Sequence, residues 1–397
     1  MSPINALLAS DSRRSLPQLP PLALYVHIPW CIRKCPYCDF NSHAAPAALP
    51  EQAYVTALLQ DLEQDLPLAA GRPLKSIFIG GGTPSLFSAA ALKQLIDGIR
   101  ARISCLPDIE ITLEANPGTF EQHKFAAYRA LGINRLSIGV QSFNSQHLQQ
   151  LGRVHDGHEA LRAARIAQQV GFARINLDLM HGLPGQSPSQ AVDDLQQAIE
   201  LNPGHLSWYQ LTIEPNTVYW SKPPQLPEDD TLWDIQEQGQ TLLAQHSYVQ
   251  YEISAYAQAG QQAQHNLNYW QFGDFLGIGA GAHGKISHRD GTISRYWKTR
   301  QPDDYLRGGA TRHAGQQLLS DSELPFEFMM NALRLTEGVK TTLFSERTGL
   351  PASALQQVRQ QAEQRGLLSA DPAMLVASAQ GQLFLNDLLQ LFLDTEA

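Results

Sequence analysis

The chain has 397 residues, of which 43% are hydrophobic and 17% are charged, an ordinary balance for a globular protein with one large and one smaller domain. Its formal net charge of -9 argues against a general nucleic-acid binder, which would need a basic face. No apolar run is long enough to cross a bilayer, so the sequence predicts no transmembrane segment.

Residues 1–20 are predicted to form a disordered extension. Arg13 and Arg14 lie there without the adjoining apolar segment of a signal peptide. Pro20 and Pro21 end the segment, and the folded chain is expected to start there.

Short apolar or β-branched runs then alternate with amphipathic stretches as far as residue 212. The predicted strands are Leu22–His27, Ser76–Ile79, Glu110–Ala115, Arg135–Val140, Ile175–Leu179 and Leu206–Thr212. The predicted helices are Glu51–Leu66, Ser88–Ile103, Glu121–Leu131, Ser145–Leu151, His158–Val170 and Pro188–Leu201. This alternation predicts an α/β fold with a parallel sheet, but a barrel and a doubly wound sheet share the pattern.

The pattern changes after the sixth strand. The elements expected there are a loop over Glu214–Glu228, a helix over Asp229–Gln245, a strand near Tyr251–Ala255 and loops over Gly260–Trp270 and the glycine run 277–284. From about Asp321 we expect helices over Phe326–Leu335, Thr342–Thr348, Ala352–Gly366 and Leu383–Leu393, with a strand pair around Gly381. Such helices and a hairpin predict a winged-helix-like module that acts as a lid or partner surface.

Three of the four cysteines, Cys31, Cys35 and Cys38, fall in a loop directly after the first predicted strand. Thiolates so close in sequence can converge on one metal centre. Three ligands are one short of closing a four-iron cluster, so one iron would keep an open position for a small molecule. A cluster requires reduced thiols, which predicts a cytoplasmic location. Cys105 lies apart and is expected to be a small core residue.

Two other interpretations of the cysteines stay open on the residues alone. One is a zinc site with His27 or His43 as the fourth ligand, for which C-x3-C is poor spacing. The other is that the three cysteines are unrelated.

Together with Leu24–Trp30 before it, the cysteine loop resembles the radical S-adenosylmethionine (SAM) superfamily. The resemblance implies a [4Fe–4S] cluster held by Cys31, Cys35 and Cys38, whose open iron chelates the methionine part of SAM. It also decides between the two sheet architectures, in favour of a partial (β/α)6 barrel with a smaller C-terminal domain that is mostly helical and winged-helix-like.

The resemblance also implies which residues contact SAM. Gly80–Pro84 follows the second strand without the lysine of a phosphate-binding loop, and an ordinary tight turn is the alternative. Polar groups at the ends of other strands would be costly if buried unpaired. The implied SAM contacts are Tyr25, Gly81, Gly82, Thr83, Glu114, Gln141, Arg153, Asp178 and Thr212, with Arg153 on the carboxylate and Glu114 on the ribose. The alternative to a SAM contact is an ordinary salt bridge between Arg153 and one of these carboxylates, which would account for both partners.

Two further motifs resemble the haem chaperone branch of the superfamily. Phe40 stands where oxygen-independent coproporphyrinogen oxidases carry a fourth cysteine. His265-Asn266-Leu267-Asn268-Tyr269-Trp270 matches a marker of the haem chaperones, which implies His265 as an axial haem ligand. Alternatively, His265 bonds within its loop and Trp270 fills the core. His283 is a second candidate ligand.

The resemblance therefore implies a haem chaperone that binds a [4Fe–4S] cluster, SAM and haem and delivers haem to apo-haemoproteins. The alternatives are a coproporphyrinogen oxidase and another radical SAM enzyme. The sequence does not decide whether the protein forms a homodimer or makes a transient contact with a membrane surface. The implied division is an extension over 1–20, a partial barrel over 21–215, a linker and late-loop region with the haem motif over 216–320, and the winged-helix-like domain over 321–397.

Overall fold

The computed structural model describes residues 14–118, 123–308 and 312–393. Most of the predicted extension, residues 1–13, and the start of the helix predicted at Glu121 lie outside these ranges. The strands are β1 Leu22–Ile28, β2 Trp30–Cys31, β3 His43–Ala44, β4 Leu74–Gly81, β5 Cys105–Ala115, β6 Arg135–Gln141, β7 Arg174–His181, β8 His205–Gln210, β9 Val249–Glu252, β10 Ala255–Ala257, β11 Asp274–Ile278, β12 His283–Ser287, β13 Ile293–Lys298, β14 His313–Leu318, β15 Val339–Lys340 and β16 Met374–Leu375.

Helices follow most of the strands. They are α1 Glu51–Ala69, α2 Ala89–Arg100, α3 Phe125–Ala130, α4 Ser145–Gln150, α5 Gly157–Val170, α6 Pro188–Glu200, α7 Val218–Ser221, α8 Asp229–Gln245, α9 Gln264–Trp270, α10 Pro302–Arg307, α11 Leu324–Ala332, α12 Thr341–Thr348, α13 Gln356–Gln364, α14 Ala379–Leu383 and α15 Leu385–Leu393, with 3-10 turns at Pro84–Leu86 and Ala352–Leu355. Among the described residues, no helix is both long and apolar enough to cross a membrane.

One twelve-stranded sheet organises the fold, in the order β14-β13-β12-β11-β1-β4-β5-β6-β7-β8-β10-β9. The six predicted strands are β1, β4, β5, β6, β7 and β8, and they pair in parallel in that order. Helices cross over between them, so the α/β class and the partial barrel are confirmed. β11 adds a further parallel strand beside β1.

The strands are apolar runs because both of their faces are covered. Leu22–Ile28 is buried at all but one position, and the main core fills the space between the sheet and its helices. Capping residues explain where two of these helices begin. Asp156 and Glu159 form a capping box at the start of α5, and Ser187 with Gln190 does the same for α6. Each such cap is worth about 1 kcal/mol.

Several late elements differ from the predictions. Residues 216–320, predicted as a linker and late-loop region, contribute β9 to β14 to the main sheet. The loop expected over Glu214–Glu228 contains the short helix α7, and the end of the predicted loop Gly260–Trp270 is the helix α9. Gly381 lies in α14 rather than between paired strands, since the pair is formed by β15 and β16. These elements are two to seven residues long, too short for a clear hydrophobic period.

The C-terminal helices bury a second core of their own, which includes Phe328, Phe344 and Leu388. The described part of the predicted extension packs near this module. Leu16 is only 1% exposed, and Arg14 forms an ion pair with Asp321 at 2.6 Å. The ordered chain therefore starts before residue 21.

Candidate functional site

A cavity of about 500 Å³ runs along the inside of the partial barrel. At one end it reaches Gly81 and Gln141, the last residues of β4 and β6, which is the edge where α/β barrels assemble their chemistry. Ser137 and Ser207, near the starts of β6 and β8, line it towards the opposite edge. Of the predicted site residues, Cys31, Cys35, Cys38, Gly81, Gly82, Thr83, Glu114, Gln141, Arg153 and Asp178 line this one cavity.

The cysteine loop is held at both of its ends. β2 pairs with β3 just beyond the loop, and the N–H of Ala45 donates to the carbonyl of Cys31 at 2.8 Å. Burial raises the pKa of the Cys31 and Cys38 thiols, and the charges of the neighbouring cysteines raise both values further. All three thiols line the same cavity.

Among the described residues, no three His, Cys, Asp or Glu side chains are already gathered as a metal site. The thiols share a cavity wall without a closed coordination shell. His27 is also engaged elsewhere, since its ring nitrogens lie 2.9 Å from the hydroxyl of Tyr25 and 2.9 Å from the carbonyl of Asn41. This pairing leaves it unsuited to be a fourth zinc ligand. The open donor set of three cysteines fits a cubane with one open iron.

Arg153 is a half-buried cation beside the cysteine loop. Its Nη1 donates to the sulfur of Cys35 at 3.6 Å, and its Nη2 donates at 2.8 Å to both Asn116 Oδ1 and the carbonyl of Gly139. Its Nε has no partner. These contacts fix the guanidinium next to the place where a cluster would lie, and they leave one donor for an anionic ligand.

The glycines after β4 are required by close packing. Gly81 has φ +118°, and a Cβ there would lie 2.6 Å from the ring of His27. A Cβ on Gly82 would lie 2.6 Å from the carbonyl oxygen of Trp30, which accepts the N–H of Thr83 at 2.8 Å. The backbone of the turn therefore packs directly against the backbone at the start of the cysteine loop. This close packing brings peptide groups to the cavity wall.

Two half-buried carboxyl groups stand on the inner wall. Glu114 accepts the N–H of Gly81 at 3.0 Å, and burial, followed by the charge of Asp178, raises its pKa to about 8. Asp178 accepts bonds from Ser137 at 2.9 Å and Asn176 at 2.7 Å, while burial raises its pKa. Glu114 is therefore mostly protonated at neutral pH and can donate to an oxygen of a ligand.

Gln141 is held in an unusual backbone conformation, with φ +68°. Its Oε1 accepts the hydroxyl of Tyr209 at 2.8 Å. This bond fixes the side chain at the cavity wall.

The structure does not bring Tyr25, Thr212, His265 or His283 to the cavity surface. Tyr25 lies behind the wall, stacked on Phe78, where burial and then the nearby Glu114 raise its pKa. Thr212 is exposed beyond the end of β8, and His283 is exposed at the start of β12.

The haem motif lies on helix α9 and is divided between two faces. His265 is 1% exposed; its Nδ1 lies 2.9 Å from Ser76 Oγ and its Nε2 lies 2.8 Å from the hydroxyl of Tyr269. Burial lowers its pKa to about 3, so the ring is neutral. Asn266 and Trp270, one helical turn apart, line the cavity instead.

Several cavity residues were not predicted from the sequence. Asn116 follows β5 in a turn, a position that could have indicated a site. Tyr209, Glu252 and Arg334 also line the cavity. No sequence pattern marked Arg334 as a cavity residue, because it lies in the C-terminal part of the chain and approaches the barrel only in the folded protein.

Comparisons with known proteins agree with this geometry. A family model described as the radical SAM superfamily matches residues 25–198, and one described as the HemN C-terminal domain matches residues 319–384. The fold and the cysteine loop thus define a radical SAM protein, and this superfamily binds a [4Fe–4S] cluster and SAM.

The relatives narrow the class further. The chain is 54% identical to the heme chaperone HemW of Escherichia coli over 95% of this chain and 99% of that protein. It is 52% identical to the heme chaperone HemW of Haemophilus influenzae over 96% and 100% of the two chains. The chain belongs to the HemW family. The solved structure of coproporphyrinogen III oxidase (HemN) from Escherichia coli shares the fold, with a TM-score of 0.80 and 24% identity over 96% of this chain and 91% of that one.

Proposed function

We propose that this protein is a haem chaperone that uses a [4Fe–4S] cluster and SAM at one end of its cavity and holds haem at the other. The observation that carries the proposal is the continuity of this cavity from the cysteine loop to Trp270 in the haem motif. The near-complete similarity to proteins named heme chaperone HemW supports it.

At the cluster end, the chain's own residues have separate tasks. Cys31, Cys35 and Cys38 would hold three irons, and the fourth would bind the methionine part of SAM and supply electrons. Arg153 is placed to receive the carboxylate of SAM with its unpaired Nε. The protonated Glu114 would donate to a ribose oxygen, and Thr83 with the glycine turn would line the methionine part.

The assignment of His265 as an axial haem ligand remains a prediction. Both of its ring nitrogens are hydrogen-bonded within the protein, so ligation requires α9 to turn or the bond to Tyr269 to break. Breaking one buried hydrogen bond costs about 1–3 kcal/mol, which an iron–imidazole bond exceeds. Asn266 and Trp270 already face the cavity, and Trp270 offers a flat apolar surface to a porphyrin.

The second candidate is an oxygen-independent coproporphyrinogen oxidase. This chain shares the fold of that enzyme, but Phe40 occupies the position of the enzyme's fourth cysteine. Phe40 is 61% exposed at the cavity mouth, where it offers neither a thiol nor a metal ligand. This departure favours the chaperone.

The recipients of the haem are proposed to be apo-haemoproteins, and the location is proposed to be the cytoplasm, where the thiols stay reduced.

The test is an anaerobic haem titration of the cluster-loaded protein, followed by absorbance, with wild type, His265→Ala and His205→Ala. His205 is a matched control because both of its nitrogens are also bonded internally, to Asn176 and Tyr251. We expect saturable binding by wild type and His205→Ala and its loss in His265→Ala. Equal binding by all three would move the axial ligand away from His265.

The same preparation is assayed for porphyrin oxidation with a strong reductant. A chaperone should form no protoporphyrinogen. Formation of protoporphyrinogen, together with no saturable haem binding, would instead establish the enzyme.

A further inference from the structure

The side chain of His265 has a hydrogen-bond partner at each of its ring nitrogens. Nδ1 lies 2.9 Å from the Oγ of Ser76 on β4, and Nε2 lies 2.8 Å from the hydroxyl of Tyr269, one turn further along α9. Aromatic rings also cover the imidazole, since its centre lies 5.1 Å from that of Phe78 and 4.7 Å from that of Tyr269. The single in-plane lone pair of this neutral ring is therefore already engaged in the ligand-free protein.

The two partners determine which ring nitrogen carries the proton. A neutral imidazole has one N–H donor and one acceptor nitrogen. Because a phenol is more acidic than an aliphatic alcohol, the Tyr269 hydroxyl donates to Nε2, and the Nδ1–H donates to Ser76 Oγ. A histidine that ligates a metal does so through the nitrogen that carries no proton, while its other nitrogen donates to a neighbouring acceptor. Nε2 is thus the nitrogen that can ligate iron, and Tyr269 occupies it.

Tyr269 has space in which to release this nitrogen. Its ring packs edge-on against Phe275, with the ring centres 4.5 Å apart, and lines a small cavity of about 160 Å³ together with Phe272 and Lys285. This volume exceeds the roughly 30 Å³ that one water molecule takes, so it can admit a hydroxyl group. A turn of the phenol ring into this cavity would break one hydrogen bond and leave the bond between Ser76 and Nδ1 in place.

We propose that the Tyr269 hydroxyl competes with haem iron for His265 Nε2, and that Ser76 holds the ring proton on Nδ1 so that Nε2 is the nitrogen exchanged. The inference rests on the proposed function, in which His265 is the axial ligand. Binding breaks the O–H···N bond and forms an iron–nitrogen bond, while the phenol keeps its proton and no electron is transferred. Tyr269 and Ser76 are therefore positioning residues. The competing hydroxyl lowers the affinity for haem and regains its partner when iron leaves, which favours release by a carrier.

The test is an anaerobic haem titration of the full-length, cluster-loaded protein and its Tyr269→Phe variant. The variant keeps the ring but removes the competing hydroxyl, so haem should bind about two- to tenfold more tightly, the usual worth of one hydrogen bond. Transfer of the bound haem to apomyoglobin, used as the acceptor, should be slower by a similar factor. Tyr248→Phe is the matched control, because it also removes a buried hydroxyl, one bonded to the carbonyl of Pro203, and should bind haem as wild type does.

A second variant tests the other ring nitrogen. Ser76→Ala leaves the Nδ1–H without its acceptor, which makes the imidazole a weaker ligand, so haem should bind about tenfold more weakly and with a shifted absorbance maximum. The two variants thus change affinity in opposite directions, and a damaged fold cannot produce tighter binding. Unchanged or weaker binding by Tyr269→Phe, with binding abolished in His265→Ala, would overturn this inference and leave the proposed function standing. Absence of saturable haem binding by wild type would overturn both.

Discussion

The guanidinium of Arg153 donates to the sulfur of Cys35 across 118 residues of sequence. A donor on a ligand sulfur stabilises the more negative, reduced form of an iron–sulfur cluster and so raises its potential. In the proposed site, Arg153 would therefore act on the cluster and on the carboxylate of SAM together. Its contact with Cys35 is a feature that no motif in the sequence predicts.

Replacing Arg153 with Ala should weaken SAM binding by roughly 1.5–3 kcal/mol, because a charged hydrogen bond to the carboxylate is lost. Anaerobic calorimetry on cluster-loaded protein measures the dissociation constant. Arg165→Ala, at an exposed position of α5, is the control and should bind as wild type does. An unchanged dissociation constant in Arg153→Ala would place this side chain outside the SAM site.

Replacing Cys35 with Ala should abolish the cluster, since two thiolates do not hold a cubane. Cys105→Ala is a matched control, because Cys105 is also a half-buried free cysteine but lies at the start of β5. Iron content and visible absorbance after anaerobic reconstitution measure the outcome. Wild-type iron stoichiometry in Cys35→Ala would contradict the three-cysteine assignment.

Glu114 should make the stability of the ligand-free protein depend on pH. Its pKa rises from 4.5 to about 8 because burial and then Asp178 disfavour the charged form. A raised folded-state pKa contributes stability below the unfolded-state value, and the contribution is lost as pH rises through the folded value. The free energy of unfolding should therefore fall between about pH 4.5 and 8.

Urea titrations across this window test the assignment. Glu114→Gln should show a shallower fall, because its amide does not titrate. Glu228→Gln, at an exposed position before α8, should keep the wild-type slope. Identical slopes in Glu114→Gln and wild type would mean that another group carries the dependence.

Asn41 should determine how firmly the cysteine loop is held. Its Nδ2 donates to the carbonyls of Ala280 at 2.9 Å and Arg300 at 2.8 Å. Asn41→Ala should lower the free energy of unfolding by about 1 kcal/mol, because it removes one part-buried and one exposed hydrogen bond, and should speed the release of iron to a chelator.

Asn134→Ala provides the comparison for this variant. Asn134 likewise bonds two backbone groups, those of Ile109 and Ile111, both at 2.8 Å, but far along the chain from the cysteines. It should lose similar stability without faster iron release. Equal iron release from both variants would show that Asn41 has no specific effect on the loop.

The alternation of apolar strands with amphipathic helices predicted the α/β class, and the resemblance to the radical SAM superfamily predicted the partial barrel. Residues near the ends of those strands, such as Glu114 and Gln141, also reached the cavity as predicted, since parallel strands end at one edge of a sheet. Local sequence patterns can predict these features because each depends on residues that are close together in the chain. The one strand predicted near Tyr251–Ala255 proved to be two short strands, β9 and β10.

The sequence did not predict contacts that depend on distant chain segments. His265 was interpreted as a haem ligand in a loop, but it lies in a short helix and bonds Ser76, 189 residues earlier. The pairing of Arg334 with Glu252 likewise joins residues 82 positions apart. Such pairings follow from packing in three dimensions, which spacing along the chain does not encode.

The position of β1 between β4 and β11 has a consequence for the order of biosynthesis. The cysteine loop leaves the ribosome first, but β11 and the glycine run that Asn41 binds follow roughly 240 residues later, which takes on the order of 10–50 s of translation. Throughout that interval Asn41 lacks the carbonyls of Ala280 and Arg300 that anchor the cysteine loop. We therefore expect cluster insertion to be a late event in the maturation of this protein, after residues 274–300 have folded against the cysteine loop.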